Sequence, residues 1–122
     1  MNTAATAFDT AARTDRLVCL VAAAGDVSEL LDAVRDYLAA WPAEKVARVQ
    51  KVDGDWAPFD ENQRPMPLAR PADLRTIANA VHGQCSALRS AGMSLAPELL
   101  ELDLFFFLAC TKLAELQAQT CR

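Results

Sequence analysis

Residues 99–110 read Leu-Leu-Glu-Leu-Asp-Leu-Phe-Phe-Phe-Leu-Ala-Cys, and the reading of this run decides the fold. Counted from Leu102, the residues Phe105, Phe106, Ala109, Leu113 and Leu116 recur at helical steps and make one complete core stripe. Leu100, Leu104, Phe107 and Leu108 fall on the opposite side of the same helix. An ordinary surface helix keeps an apolar arc of roughly 100° and gives the rest to water. A helix apolar on two faces is therefore central in its domain, or it buries its second face against another chain.

Outward from this run, Pro97 opens the helix, and Glu98, Glu101 and Asp103 crowd its first turns, where negative charge complements the dipole. Its end is expected near Ala118. Upstream, Leu74, Ile77, Ala78, Val81, Cys85 and Leu88 predict a helix from about Ala72 to Ser90, capped by Gly92. Val27, Leu30, Leu31, Val34, Leu38 and Trp41 predict another. It begins at Asp26-Val27-Ser28-Glu29, where the Asp26 carboxylate accepts from the amide three residues on and Glu29 reaches back. Pro42 ends that helix and serves as the first residue of a short one reaching about Gln50. A first helix is expected from Phe8 or Asp9 to Ala24, with Gly25 as its left-handed cap and residues 1–7 disordered.

The stretch Lys51–Arg70 breaks this periodicity with Pro58, Pro65 and Pro67. Val49–Val52 and Asp55–Phe59 flank Asp53-Gly54 in the pattern of a small hairpin, within an irregular loop over about 49–70. Trp56 and Phe59 are either anchors tying that loop to the helices or contacts for a partner or ligand. Arg64 and Arg70 have the chemistry to recognise a carboxylate or phosphate. The whole pattern predicts an all-α fold, a four- or five-helix bundle with one long irregular loop, as a single helical domain over residues 1–122.

The chain is 52% hydrophobic and 23% charged, which is globular rather than disordered. Its net charge of −4 is spread as −2 over 1–50, −1 over 51–70 and −1 over 71–122. No segment is basic enough to displace counterions from phosphates, so nucleic acid is not an expected partner. Arg outnumbers Lys and Ala is abundant, which suggests a GC-rich bacterial genome. Cys19, Cys85, Cys110 and Cys121 show no close pairing, so reduced thiols in a cytoplasm are expected rather than zinc or a redox motif. Leu17–Ala24 is too short for a signal sequence, with Asp9 and Asp15 upstream, and Leu104–Cys110 is far short of a membrane span.

Little in the chain nominates chemistry. The single histidine, His82, lies three residues before Cys85, the minimum for a thiol nucleophile, but a thiol on the core stripe is inert. His82 is therefore expected at the edge of the core. No Glu-x-x-His supports a di-iron site, and Asp53, Asp55, Asp60 and Glu61 lack the order of a calcium loop. Neither a metal nor a cofactor is expected. Asp103, a charge inside the apolar run, is expected to be part-exposed near the helix start or to pair with an Arg across an interface. The expected function is a small non-enzymatic cytoplasmic protein acting through protein–protein contact, as a homodimer through Leu100, Leu104, Phe107 and Leu108. The alternative is a bundle that binds a small apolar ligand near Phe105, Phe106, Phe107 and His82.

Overall fold

In the computed structural model the fold is all-α, and the structure describes residues 14–52, 58–60 and 62–120. Helix α1 covers residues 14–22 of these. It is followed by α2 (Val27–Ala39), α3 (Ala43–Val52), α4 (Pro71–Ser90) and α5 (Pro97–Thr120). The expected bundle is present, and α5 packs against α2, α3 and α4. That makes α5 the centre of the arrangement. Its stripe of Leu102, Phe105, Phe106, Ala109, Leu113 and Leu116 is buried, as is Leu99. Each large apolar side chain removed from water in this way contributes about 1.5–3 kcal/mol.

Local chemistry sets the helix ends. The Asp26 carboxylate accepts from the Glu29 amide at 2.8 Å and caps α2. Glu29 reaches back one residue further than expected, to the Gly25 amide at 2.7 Å. Gly25 is not left-handed, since Gly92 is the one glycine with positive φ among the described residues. The α1–α2 corner is held by the Glu29 side chain, so it needs no left-handed residue. Pro42 does not open α3 as its first residue but caps it, its carbonyl accepting from Lys45 and Val46. At the start of α4 the Asp73 carboxylate accepts from the amides of Ala69 and Arg70, at 3.1 and 2.9 Å. These bonds hold its carboxyl below the ordinary aspartate range.

The expected hairpin is not formed. Val49–Val52 continue α3 as helix, because Val46 and Val49 are fully buried and extend its apolar face. Residues 53–57, including Asp53-Gly54 and Trp56, lie outside the described residues, as do 1–13 and Cys121. Strand-like pairing instead occurs later, as a single antiparallel bridge between Phe59 and Pro65. The Asp60 carboxylate closes the turn between them by accepting from the Asn62 and Arg64 amides, each at 2.9 Å. Arg35 of α2 donates to the Leu68 carbonyl, and the Leu68 side chain is buried. The irregular segment is thereby tied to α2 near its C-terminal end.

Candidate functional site

The outward face of α5 carries Leu100, Leu104, Phe107, Thr111, Ala114 and Ala118 at helical spacing, and none of these is charged. From Leu100 to Ala118 the stripe is about 27 Å long. Phe107 is 67% exposed and Leu100 43%. Leu104 and Leu108 are only half exposed, because each also leans on the buried core. The four residues picked out in the sequence therefore divide into two free apolar side chains and two shoulders. An exposed Leu alone is unremarkable, but a 67% exposed Phe on the central helix is not.

Beside this stripe, α4 and α5 enclose an open groove of about 300 Å³. Ala78, Phe106, Phe107 and Cys110 supply its apolar walls, and His82 and Asp103 its polar lip. A ring nitrogen of His82 lies 3.3 Å from Asp103 Oδ1. The His82 side chain is 68% exposed, further out than the core edge, while that of Asp103 is 20% exposed. Asp103 thus finds its partner within its own chain, in the imidazole one helix away. Burial, with the Asp103 charge nearby, pushes the Cys85 thiol up to about 11. That environment holds the sulfur as a neutral thiol, the poor nucleophile.

The other residues singled out from the sequence serve the loop. Phe59 is buried, with its ring 5.6 Å from that of Trp41. Gln50 donates to the carbonyls of Phe59 and Asp60 at 3.4 and 2.8 Å. Arg64 is exposed and its guanidinium lies 3.5 Å from the Asp60 carboxylate, inside its own turn. It does not converge with His82, which belongs to the α4–α5 groove.

A second cavity, of about 460 Å³, lies between α1, the α2–α3 corner and α5. Here four side chains join in a ring. The Tyr37 hydroxyl donates to Glu101 Oε2 at 2.6 Å, and the Lys45 ammonium lies 3.7 Å from Glu101 Oε1. The same ammonium stands 4.9 Å above the Trp41 ring, and the Trp41 and Tyr37 rings in turn meet edge-on, centroids 6.0 Å apart. Burial and the Glu101 carboxylate push the Tyr37 hydroxyl far above its ordinary range, so it remains a donor. In the sequence Trp41 reads as part of the core stripe and Glu101 only as one of the first-turn acids of the last helix, while nothing singles out Tyr37 or Lys45. The available signal was their spacing: Tyr37, Trp41 and Lys45 stand four apart across Pro42. What brings Glu101 to them is the register of α5, which no local pattern encodes.

Among the described residues no three His, Cys, Asp or Glu side chains converge as metal ligands, and no helix is long and apolar enough to cross a membrane. Compared with protein-family models, curated proteins and solved structures, the chain matches none.

Proposed function

We propose that this chain is a non-enzymatic cytoplasmic protein that works by association, and that the surface it uses is the outward face of α5, paired with a second copy of itself. The observation carrying this reading is Phe107, two-thirds exposed in the middle of an uncharged stripe on the central helix. Burying such a ring contributes about 1.5–3 kcal/mol per chain. A symmetric pair uses the same patch twice, so the patch must complement itself. An antiparallel pairing with its two-fold axis at Phe107 does this, since residues 100 and 114 are equally distant from 107. Leu100 of one chain then faces the partner's Ala114, large against small, and the two helix dipoles oppose. The stripe residues themselves carry no charge, and Asp103 at their edge has the His82 imidazole 3.3 Å away as its partner, which avoids the cost of an unpaired ion.

Native mass spectrometry with sedimentation velocity tests this reading. The chain as purified should run at twice 13.2 kDa. Phe107→Glu should give a monomer with unchanged helicity, because the ring makes little contribution to the monomer core. A wild-type monomer at tens of micromolar, or an unaltered dimer in Phe107→Glu, would overturn it. The open groove walled by Phe106, Phe107 and Cys110 supports a second reading, a small apolar ligand held beside α5. A monomer carrying added mass in the same experiment would favour that one.

A further inference from the structure

On the other side of the bundle, we propose that the cavity between α1, the α2–α3 corner and α5 is a binding site for a small carboxylate with an apolar body. The case begins with volume, since about 460 Å³ lies within the range of ligand pockets. Leu17 and Leu20 of α1 and Trp41 line it with apolar surface, and Leu20 is 41% exposed, an aliphatic side chain left partly in water. Its charged groups are Arg16, Lys45 and Glu101. They sum to +1, which suits a monoanion and disfavours both a cation and a dianion.

The hydrogen bonds around the cavity leave it rich in donors. The Tyr37 hydroxyl donates its one proton to Glu101 and has none left for a ligand. The Glu101 carboxylate accepts from Tyr37 on one oxygen and faces Lys45 on the other. What remains are donors. An ammonium has three N–H groups and a guanidinium five. Lys45 directs one charge-assisted contact at Glu101, and Arg16 forms no ion pair among the described residues. The neighbouring base on α3 is already matched, Arg48 lying 3.0 Å from Glu98. The free donor capacity is therefore concentrated at Arg16 and Lys45, at the end of an aliphatic wall. A carboxylate bridging the two bases, with its alkyl or aryl body along Leu17 and Leu20, fills both needs at once. The Tyr37–Glu101 bond serves to fix the Lys45 ammonium in place.

The test uses octanoate, octanol and octylamine as probes, followed by amide and indole NMR shifts of Leu17, Leu20 and Trp41. Octanoate should bind saturably with a Kd of about 0.1–1 mM, and the alcohol and amine about tenfold more weakly. Arg16→Gln, at an exposed position, should weaken octanoate by about three- to tenfold with the fold intact. Lys45→Gln should do the same or more. Equal binding of octanol would show only an apolar patch and overturn the proposal. So would undiminished octanoate affinity in the double variant, or the absence of any saturable shift.

Discussion

The phenolic oxygen of Tyr37 on α2 lies 2.6 Å from the Glu101 carboxylate on α5, 64 positions further along the chain. The Tyr37 ring stacks on Phe105, centroids 3.8 Å apart, so one side chain joins the polar ring to the apolar core. Tyr37 is the only tyrosine in the chain, and tyrosinate absorbance therefore reports this one group. Its ionisation is pushed up in the fold by burial and by Glu101, away from an unfolded value of 10.0. A group raised in the fold contributes stability that is complete below its unfolded value and is lost as pH rises beyond it. On alkaline titration tyrosinate should thus appear only together with loss of helicity. A midpoint at about 10 with the circular dichroism unchanged would contradict the burial. Tyr37→Phe keeps the stack on Phe105 and removes only the hydroxyl, so it should lower unfolding free energy in urea by about 1.5–3 kcal/mol.

Phe59 anchors the segment from Pro58 to Arg70, its ring against Trp41 and its carbonyl held by Gln50. Phe59→Ala should reduce stability by about 3–5 kcal/mol, as for a buried aromatic truncated in a core. The same change should speed cleavage after Glu61 by a glutamate-specific protease, because the turn around Asp60 then loses its attachment to the bundle. An unchanged cleavage rate would show that Leu68 and Arg35 hold the segment by themselves.

The thiols separate by environment. Cys19 is exposed on α1, whereas Cys85 is buried and raised to about 11, and burial also raises Cys110. Near neutral pH, iodoacetamide followed by peptide mapping should, among the three described cysteines, modify Cys19 first and Cys110 more slowly. Cys85 should react only as fast as the fold opens. Because its thiol is raised in the fold, its contribution to stability holds below the unfolded value of 9.0 and declines above it. Prompt modification of Cys85 in folded protein would mean that His82 activates it after all.

How far the sequence carried these conclusions depended on whether a signal was local. The stripes of α2, α4 and α5 are periodic, and the residues read as core, Leu30, Val34, Val81, Leu102 and Leu113 among them, are buried except Val27 and Ala78, which are partly buried at the edge of the core. The two aliphatic ridges of α5 were equally legible, but their partition was not. Leu104 and Leu108 lean on the core while Leu100 and Phe107 do not, a difference set by tertiary packing rather than by spacing. Asp-Gly favours a tight turn, yet α3 runs through Val49–Val52 because burying Val46 and Val49 outweighs it. The Asp103–His82 and Glu101–Tyr37 pairs were invisible for a related reason. Each joins residues on different helices and is fixed by packing register rather than by spacing.

Two glycines offer a paired check of the backbone itself. Gly83 lies inside α4, where a Cβ would meet nothing within 4 Å and the φ angle is ordinary. Gly92 follows α4 with φ of 76°, a left-handed position in which the chain turns toward Pro97. Its amide donates to Arg89 and the Met93 amide to Leu88, closing the last carbonyls of the helix. Alanine at 83 reduces the entropy of the unfolded chain without a clash, so Gly83→Ala should raise stability by about 0.5–1 kcal/mol. At 92 the same methyl meets no neighbouring atom but must adopt the left-handed angle, so Gly92→Ala should lower stability by about 1–2 kcal/mol. Opposite signs in urea unfolding are expected from one chemical change at two sites nine residues apart. Equal signs would mean that α4 ends elsewhere, and with it the placement of Pro97 and the whole register of α5.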